Sequence, residues 1–181
     1  ILSEKQRKDI MYALYNCQVL DPACGSGAFP MGILQQMVHV LKRVDPTNQM
    51  WNSMMVDIAK ENAGRELLKV ASSNQEERQK IQAECKARLD DIENAFNSSV
   101  NDPDYARKLY LIEHCIYGVD IQPIATQISK LRFFISLVVD QKRLGDPKSN
   151  FGIRPLPNLE SKFVTANTLM PLKREKTLFT D

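Results

Sequence analysis

Histidine is the scarcest chemistry-bearing residue in this chain of 181 residues, which holds only His39 and His114, far apart in sequence. The four cysteines, Cys17, Cys24, Cys85 and Cys115, form no C-x-x-C pair and have no histidine cluster beside them. That spacing excludes the usual zinc centres, so no metal is expected. A chain of this length can bury a core without disulfide staples, and reduced cytosolic thiols are the plain expectation. No run approaches the roughly 18 consecutive apolar residues of a membrane span. No basic-then-apolar leader opens the chain, so the expectation is a cytoplasmic protein with no membrane partner.

An excess of one charge is also missing. Lys and Arg number 24 against 22 Asp and Glu, a net charge of +2 that is too small to indicate nucleic-acid binding by itself. The distribution is more informative. Residues 45–115 carry 13 acidic and 9 basic side chains, so the basic surplus lies in the remainder. Lys142-Arg143 and Lys173-Arg174 are candidates to touch a DNA backbone, although a solvated charged surface is the favoured reading of both pairs. With 43% hydrophobic and 25% charged residues, the composition is that of a globular domain with a core. The chain begins at Ile1 and stops after the charged run Lys173-Arg174-Glu175-Lys176, which suggests a piece of a longer protein.

Periodicity orders the segments. Ser3 and Gln6 form a capping-box pattern ahead of Ile10, Met11 and Leu14. A short strand over residues 17–20 ends at Asp21, and a helix runs from 28 to about 44 on Ile33, Leu34, Met37, Val38 and Leu41. Pro30 is tolerated there because it falls in the first turn, where its missing N–H costs little. Two stripes follow: Val56, Ala59, Ala63, Leu67 and Val70, then Ile81, Cys85, Leu89, Ile92 and Phe96. Ser72-Ser73-Asn74 separates them, with Ser73 and Glu76 placed to cap the second, and together they read as a helical hairpin.

A third helix starts after Asp102-Pro103 and runs to near His114. The period then changes, and residues 115–119 form a buried strand ending at Asp120. Gln122-Pro123 opens a helix whose stripe Ile124, Ile128, Leu131, Ile135 and Val138 is expected to face inward. A Gly-, Pro- and Asn-rich loop covers 145–158, and 162–166 form a third strand closing at Asn167. Without residues 45–115, which read as a helical insertion in a single domain 1–181, the order is strand–helix–strand–helix–loop–strand. A parallel α/β sheet follows, with ligands outside the carboxyl ends of its strands. Asp21, Asp120 and Asn167 all lie at such ends.

The segment Asp21-Pro22-Ala23-Cys24-Gly25-Ser26-Gly27-Ala28-Phe29 is a strand that stops at an acid, turns through small residues and enters a helix. Gly25 and Gly27 let backbone approach a ligand, and the helix start offers unpaired N–H groups. The dinucleotide fingerprint wants a small residue where Pro30 stands, and Asp45 is delivered by no strand to act as its companion acid. Asp120 has the right context. Cys24 reads as a small packing residue, because no histidine is placed to activate it.

These residues resemble a known family. D-P-A-C-G-S-G-A-F resembles the first motif of S-adenosylmethionine-dependent adenine-N6 DNA methyltransferases, in particular the large fused restriction–modification enzymes and related phage-defence methyltransferases. Ile116-Tyr117-Gly118-Val119-Asp120-Ile121-Gln122-Pro123, followed by Ala125 and Leu131-Arg132, resembles their second motif. Thr165-Ala166-Asn167-Thr168-Leu169 resembles the third. The resemblance implies a partial Rossmann-like methyltransferase fold with S-adenosyl-L-methionine as cofactor. Asp21 and the backbone of Ala23, Cys24, Gly25 and Gly27 would surround its methionine part, with Phe29 nearby. Asp120 would bind the ribose hydroxyls, Ile121 would lie on the adenine ring, Asn167 would reach its amino group, and Leu169 would rest on its face.

The family's catalytic run, Asn or Asp followed by Pro-Pro and an aromatic residue, does not occur here. No catalytic residue is therefore assigned, and the chain alone is expected to be inactive. Double-stranded DNA would be held mostly by parts outside this chain. Methyltransferases acting on RNA or protein, and a non-catalytic module that binds cofactor or partners, are the alternative expectations.

Overall fold

The computed structural model describes residues 2–70, 75–142 and 158–170. It is α/β and mostly helical: α1 (Glu4–Tyr15), β1 (Val19–Asp21), α2 (Ala28–Val44), α3 (Gln49–Lys69), α4 (Gln75–Ala95), α5 (Pro103–His114), β2 (Ile116–Asp120), α6 (Pro123–Val138) and β3 (Phe163–Thr165). The strands form one parallel sheet in the order β1-β2-β3. Val19 pairs with Ile116, and Gly118 is flanked by Asp21 on one side and Phe163 on the other. Parallel neighbours need crossover connections, which the helical segments between the strands supply. Ser73 and most of the 145–158 loop lie outside the described residues, as do Arg143, Lys173 and Arg174.

Local sequence sets most element boundaries. The capping box at Ser3 forms, with Gln6 N–H donating to Ser3 Oγ and Ser3 N–H donating to Gln6 Oε1. Asp102 caps α5 by accepting from Asp104 N–H at 3.0 Å, and Pro103 follows in the first turn, where it suits a helix start. The helix over α3 begins at Gln49, well before the stripe at Val56. Its first turns carry Trp51 and Met54 into the core, whereas the stripe from Val56 onward is half-buried beside α4. Arg88 of α4 ties the two helices by donating from Nη1 to both carboxylate oxygens of Glu66 at 3.1 Å.

The inward face of α6 differs from the expected stripe. Ile124, Ile128, Leu131 and Ile135 stand exposed, and the buried positions are Ala125, Thr126, Ser129, Phe133 and Leu137. Close approach decides this. Ser129 lies so near Gly27 that a Cβ on that glycine would stand 2.8 Å from Ser129 Oγ. Only small residues fit at that level, and one turn further Phe133 takes over, its ring 4.7 Å from that of Phe163 in β3. The large aliphatic side chains are left on the outer face.

The core lies between the sheet and α2, α5 and α6, with Leu34, Leu41, Leu111, Ile112, Ile116, Phe133 and Phe163 buried. Tyr105 and Tyr110 are buried as well, Phe134 is half-buried, and His39 and His114 are on the surface. A polar knot joins α2, α3 and α5. Arg107 is fully buried, yet it donates to Asp104 Oδ1 at 2.5 Å and to the carbonyl oxygens of Asp45 and Pro46 at 2.6 and 3.4 Å. Asp45 Oδ2 in turn accepts from Trp51 N–H at 2.8 Å. A buried guanidinium needs such a set of acceptors to offset its desolvation.

Candidate functional site at the strand ends

The three polar candidates do meet at one end of the sheet. Asp21 closes β1, Asp120 closes β2, and Asn167 follows β3 by two residues. Because the strands are parallel and neighbouring, their following loops emerge side by side, and hydrogen bonds knit them together. Gly25 N–H donates to Asp120 Oδ2 at 2.8 Å, across 95 residues of sequence. Ala166 N–H donates to the Asp120 carbonyl at 3.0 Å, and Thr168 Oγ1 donates to the Pro22 carbonyl at 3.1 Å. Cys24 N–H donates to the Val119 carbonyl at 2.9 Å.

Each acid also has a local task. Asp21 Oδ1 accepts from Ala23 N–H at 3.1 Å, and Asp120 Oδ1 accepts from Gln122 N–H at 2.8 Å. Asn167 Oδ1 accepts from Leu169 N–H at 3.0 Å in the same way, closing a turn. These bonds fix the side chains without exhausting them. A carboxylate oxygen has two acceptor directions, so each oxygen of Asp120 keeps one after its backbone bond.

The two glycines of the loop have different jobs. Both hold positive φ, 53° at Gly25 and 80° at Gly27. A Cβ on Gly25 would meet nothing within 4 Å, so its backbone faces open space where a ligand can approach. Gly27 is instead the floor against which Ser129 packs. It also stands at the N-cap of α2 with no side chain capping the helix, so the first N–H groups there are left without a side-chain acceptor.

Cys24 is buried beneath this loop, against Gly118, where a Cβ would fall 2.9 Å from its sulfur. Burial first, then the nearby charges of Asp120 and Asp21, raise its thiol pKa against the opposing Ser129 hydrogen bond. Such a thiol is a packing group and not a ready nucleophile. Around the polar floor stand three apolar side chains in solvent: Phe29 is 59% exposed, Ile121 65% and Leu169 91%.

Ser129 belongs to the site but is not among the sequence candidates. Its Oγ donates to the Gly25 carbonyl at 3.0 Å, so α6 holds the loop from below. The available signal was the trio Ala125, Thr126 and Ser129, small residues at helical spacing among large aliphatics. Thr126 makes a matching hydroxyl contact of 3.0 Å with Thr165 of β3.

No protein-family model, curated protein or solved structure matches the chain. Among the described residues, no helix is long and apolar enough to cross a membrane, and no group of three or more His, Cys, Asp or Glu side chains is placed to hold a metal ion.

Proposed function

We propose that the chain is the S-adenosyl-L-methionine-binding part of a Rossmann-like methyltransferase that acts on the N6 amino group of adenine in DNA. The observation that carries the reading is the bond from Gly25 N–H to Asp120, which brings the glycine loop of the first motif against the acid of the second. A site for this cofactor needs a diol acceptor, an apolar rest for a flat ring and a close backbone, without a phosphate cradle. The residues at the strand ends fit that list.

Asp120 would hold the ribose hydroxyls through its remaining acceptor directions. Ile121 and Leu169 would flank the adenine, with Asn167 near its amino group. Asp21 and the backbone from Ala23 to Gly27 would receive the methionine part, with Phe29 beside it. Bound here, the cofactor would supply an electrophilic methyl group on sulfonium. The protein's part is to align it with the target nitrogen, and alignment alone lowers a barrier substantially. The target adenine, the run that grips it and most of the DNA contacts would belong to other parts of the full enzyme. The motif series, and not the cofactor chemistry, favours DNA adenine over an RNA or protein substrate and points to a restriction–modification or phage-defence setting.

Calorimetric titration with S-adenosylmethionine tests the site. Asp120→Ala should weaken binding at least tenfold, and Asp120→Asn should weaken it while keeping an acceptor for Gly25 N–H. Thermal melting of each variant separates lost ligand contacts from lost fold. Unchanged affinity in both variants would place the cofactor elsewhere. Methyl incorporation into DNA adenine by the isolated chain is expected to be nil.

A further inference from the structure

A second concave site lies away from the strand ends, where α3, α4 and α5 meet the end of α1. It is an open cavity of about 760 Å3, within the size range of small-molecule sites. His114 ends α5 two residues before Ile116 opens β2, so the cavity reaches the amino end of that strand, whereas Asp120 closes its carboxyl end.

Its lining has two parts. Ile58, Ile92, Phe96 and Leu109 supply an apolar body. Beside them stands an aromatic wall, in which Tyr15 stacks on Tyr110 with ring centroids 4.7 Å apart and the His114 ring lies 4.4 Å from Tyr110 on its other contact. Trp51 braces Tyr110 edge-on at 5.6 Å.

The charges are unbalanced. Asp91 on α4 and Glu113 on α5 both line the cavity. Among the described residues, no hydrogen bond or ion pair neutralises Asp91, which is exposed, and the approach of His114 Nε2 to Glu113 is a long 3.9 Å. Burial, with the Asp91 charge added and Lys162 opposing, raises the Glu113 pKa. Partial burial of its ring and the Lys162 charge lower that of His114. The cation on the lining, Arg88, is already held by both oxygens of Glu66. Lys162 is turned to Tyr117, with its ammonium 4.4 Å from that ring's centroid. Two carboxylates, one exposed and one half-buried, thus rim an apolar cavity with an aromatic wall, and among the described residues no cation is committed to them beyond the long His114 approach.

We propose that this cavity binds a lipophilic organic cation, an amine on an aromatic or aliphatic body, with its charge between Asp91 and Glu113 and its body against Ile58, Ile92, Phe96 and Leu109. An anion would meet the two carboxylates, and a neutral apolar molecule would gain nothing from them. A cation satisfies both. The site is independent of the methyl-donor reading and stands if that reading fails.

The test uses two probes of one shape, 4-phenylbenzylamine and 4-phenylbenzyl alcohol, titrated into the whole chain and followed by protein NMR shifts. The amine should bind at least tenfold more tightly than the alcohol, with shifts clustered on α3, α4 and α5. In the double variant Asp91→Asn, Glu113→Gln that preference should vanish while the alcohol's affinity stays unchanged, which also reports that the cavity is intact. Equal binding of the two probes to the unaltered chain, a preference that survives the double variant, or binding of neither probe would overturn the proposal.

Discussion

At the carboxyl ends of the strands the protein commits side-chain oxygens to backbone N–H groups and leaves Phe29, Ile121 and Leu169 in solvent. At the amino ends the arrangement is reversed: aromatic rings pack on one another, and the carboxylates of Asp91 and Glu113 rim a hollow with no close cation committed to them among the described residues. The first end is a polar floor with an apolar rim, suited to a ligand with a diol and a flat ring. The second is an apolar hollow with an acidic rim, suited to a body that carries one positive charge. The same crossover topology produces both. It gathers loops at one end, where backbone donors are plentiful, and helix termini at the other, where side chains dominate.

The Arg107 knot joins α2, α3 and α5, and its removal should have the largest effect on both ends. Arg107→Ala leaves Asp104 and two carbonyls short of a donor in a buried place, and stability should fall by about 3–5 kcal/mol. Urea unfolding followed by circular dichroism reads this directly. A loss below about 1 kcal/mol would mean that water reaches the knot and that the two ends are not braced by it.

The contrast within the carboxyl end comes next. An alanine in left-handed backbone costs about 1–2 kcal/mol, and crowding adds about 1–3 kcal/mol more. Gly27→Ala suffers both because of Ser129, so about 3 kcal/mol should be lost. Gly25→Ala faces open space and should lose only about 1 kcal/mol, while still obstructing a ligand. Equal losses in the two variants would remove the distinction between a packing glycine and a ligand-facing one.

The smallest effect concerns pH. Burial acts to raise the Asp104 pKa, but hydrogen bonds and charges from Lys42 and Arg107 outweigh it and hold the group below the usual carboxylate value. Its stabilisation is present above the unfolded pKa of about 3.9 and is lost as pH falls through the lower folded value. Glu113 is shifted upward, so its contribution is present below about pH 4.3 and is lost as pH rises through the folded value. Melting temperatures at pH 7 should therefore fall for Asp104→Asn and rise for Glu113→Gln, with both differences shrinking below about pH 4. A fall for Glu113→Gln at pH 7 would show that its carboxylate already has a partner.

Much of the fold was legible because its signals are local. The capping box at Ser3, the Asp102-Pro103 start and the change of period at residue 115 each act over a few residues, and each element formed where they stand. The three strand-end residues were legible for a related reason: a strand that stops at Asp or Asn before a turn places that residue at a carboxyl end, whatever the rest of the chain does. The inner face of α6 was not legible. Its large aliphatics repeat at helical spacing, yet Ser129 faces inward because Gly27 of a distant loop admits only a small neighbour. The Arg107 knot was hidden as well, since its acceptors at Asp45 and Pro46 lie about 60 residues away and are carbonyls, which every residue has.

The sequence alone determined the order of helices and strands, the acids at the strand ends and the loop chemistry between Asp21 and Phe29, because those depend on periodicity and on what a few neighbours permit. The tertiary structure decided that Gly25 meets Asp120, that Gly27 rests on Ser129, and that Asp91 and Glu113 share one cavity. Those are distances between remote residues, and they are set only when the chain closes on itself and close packing selects which side chain can stand where.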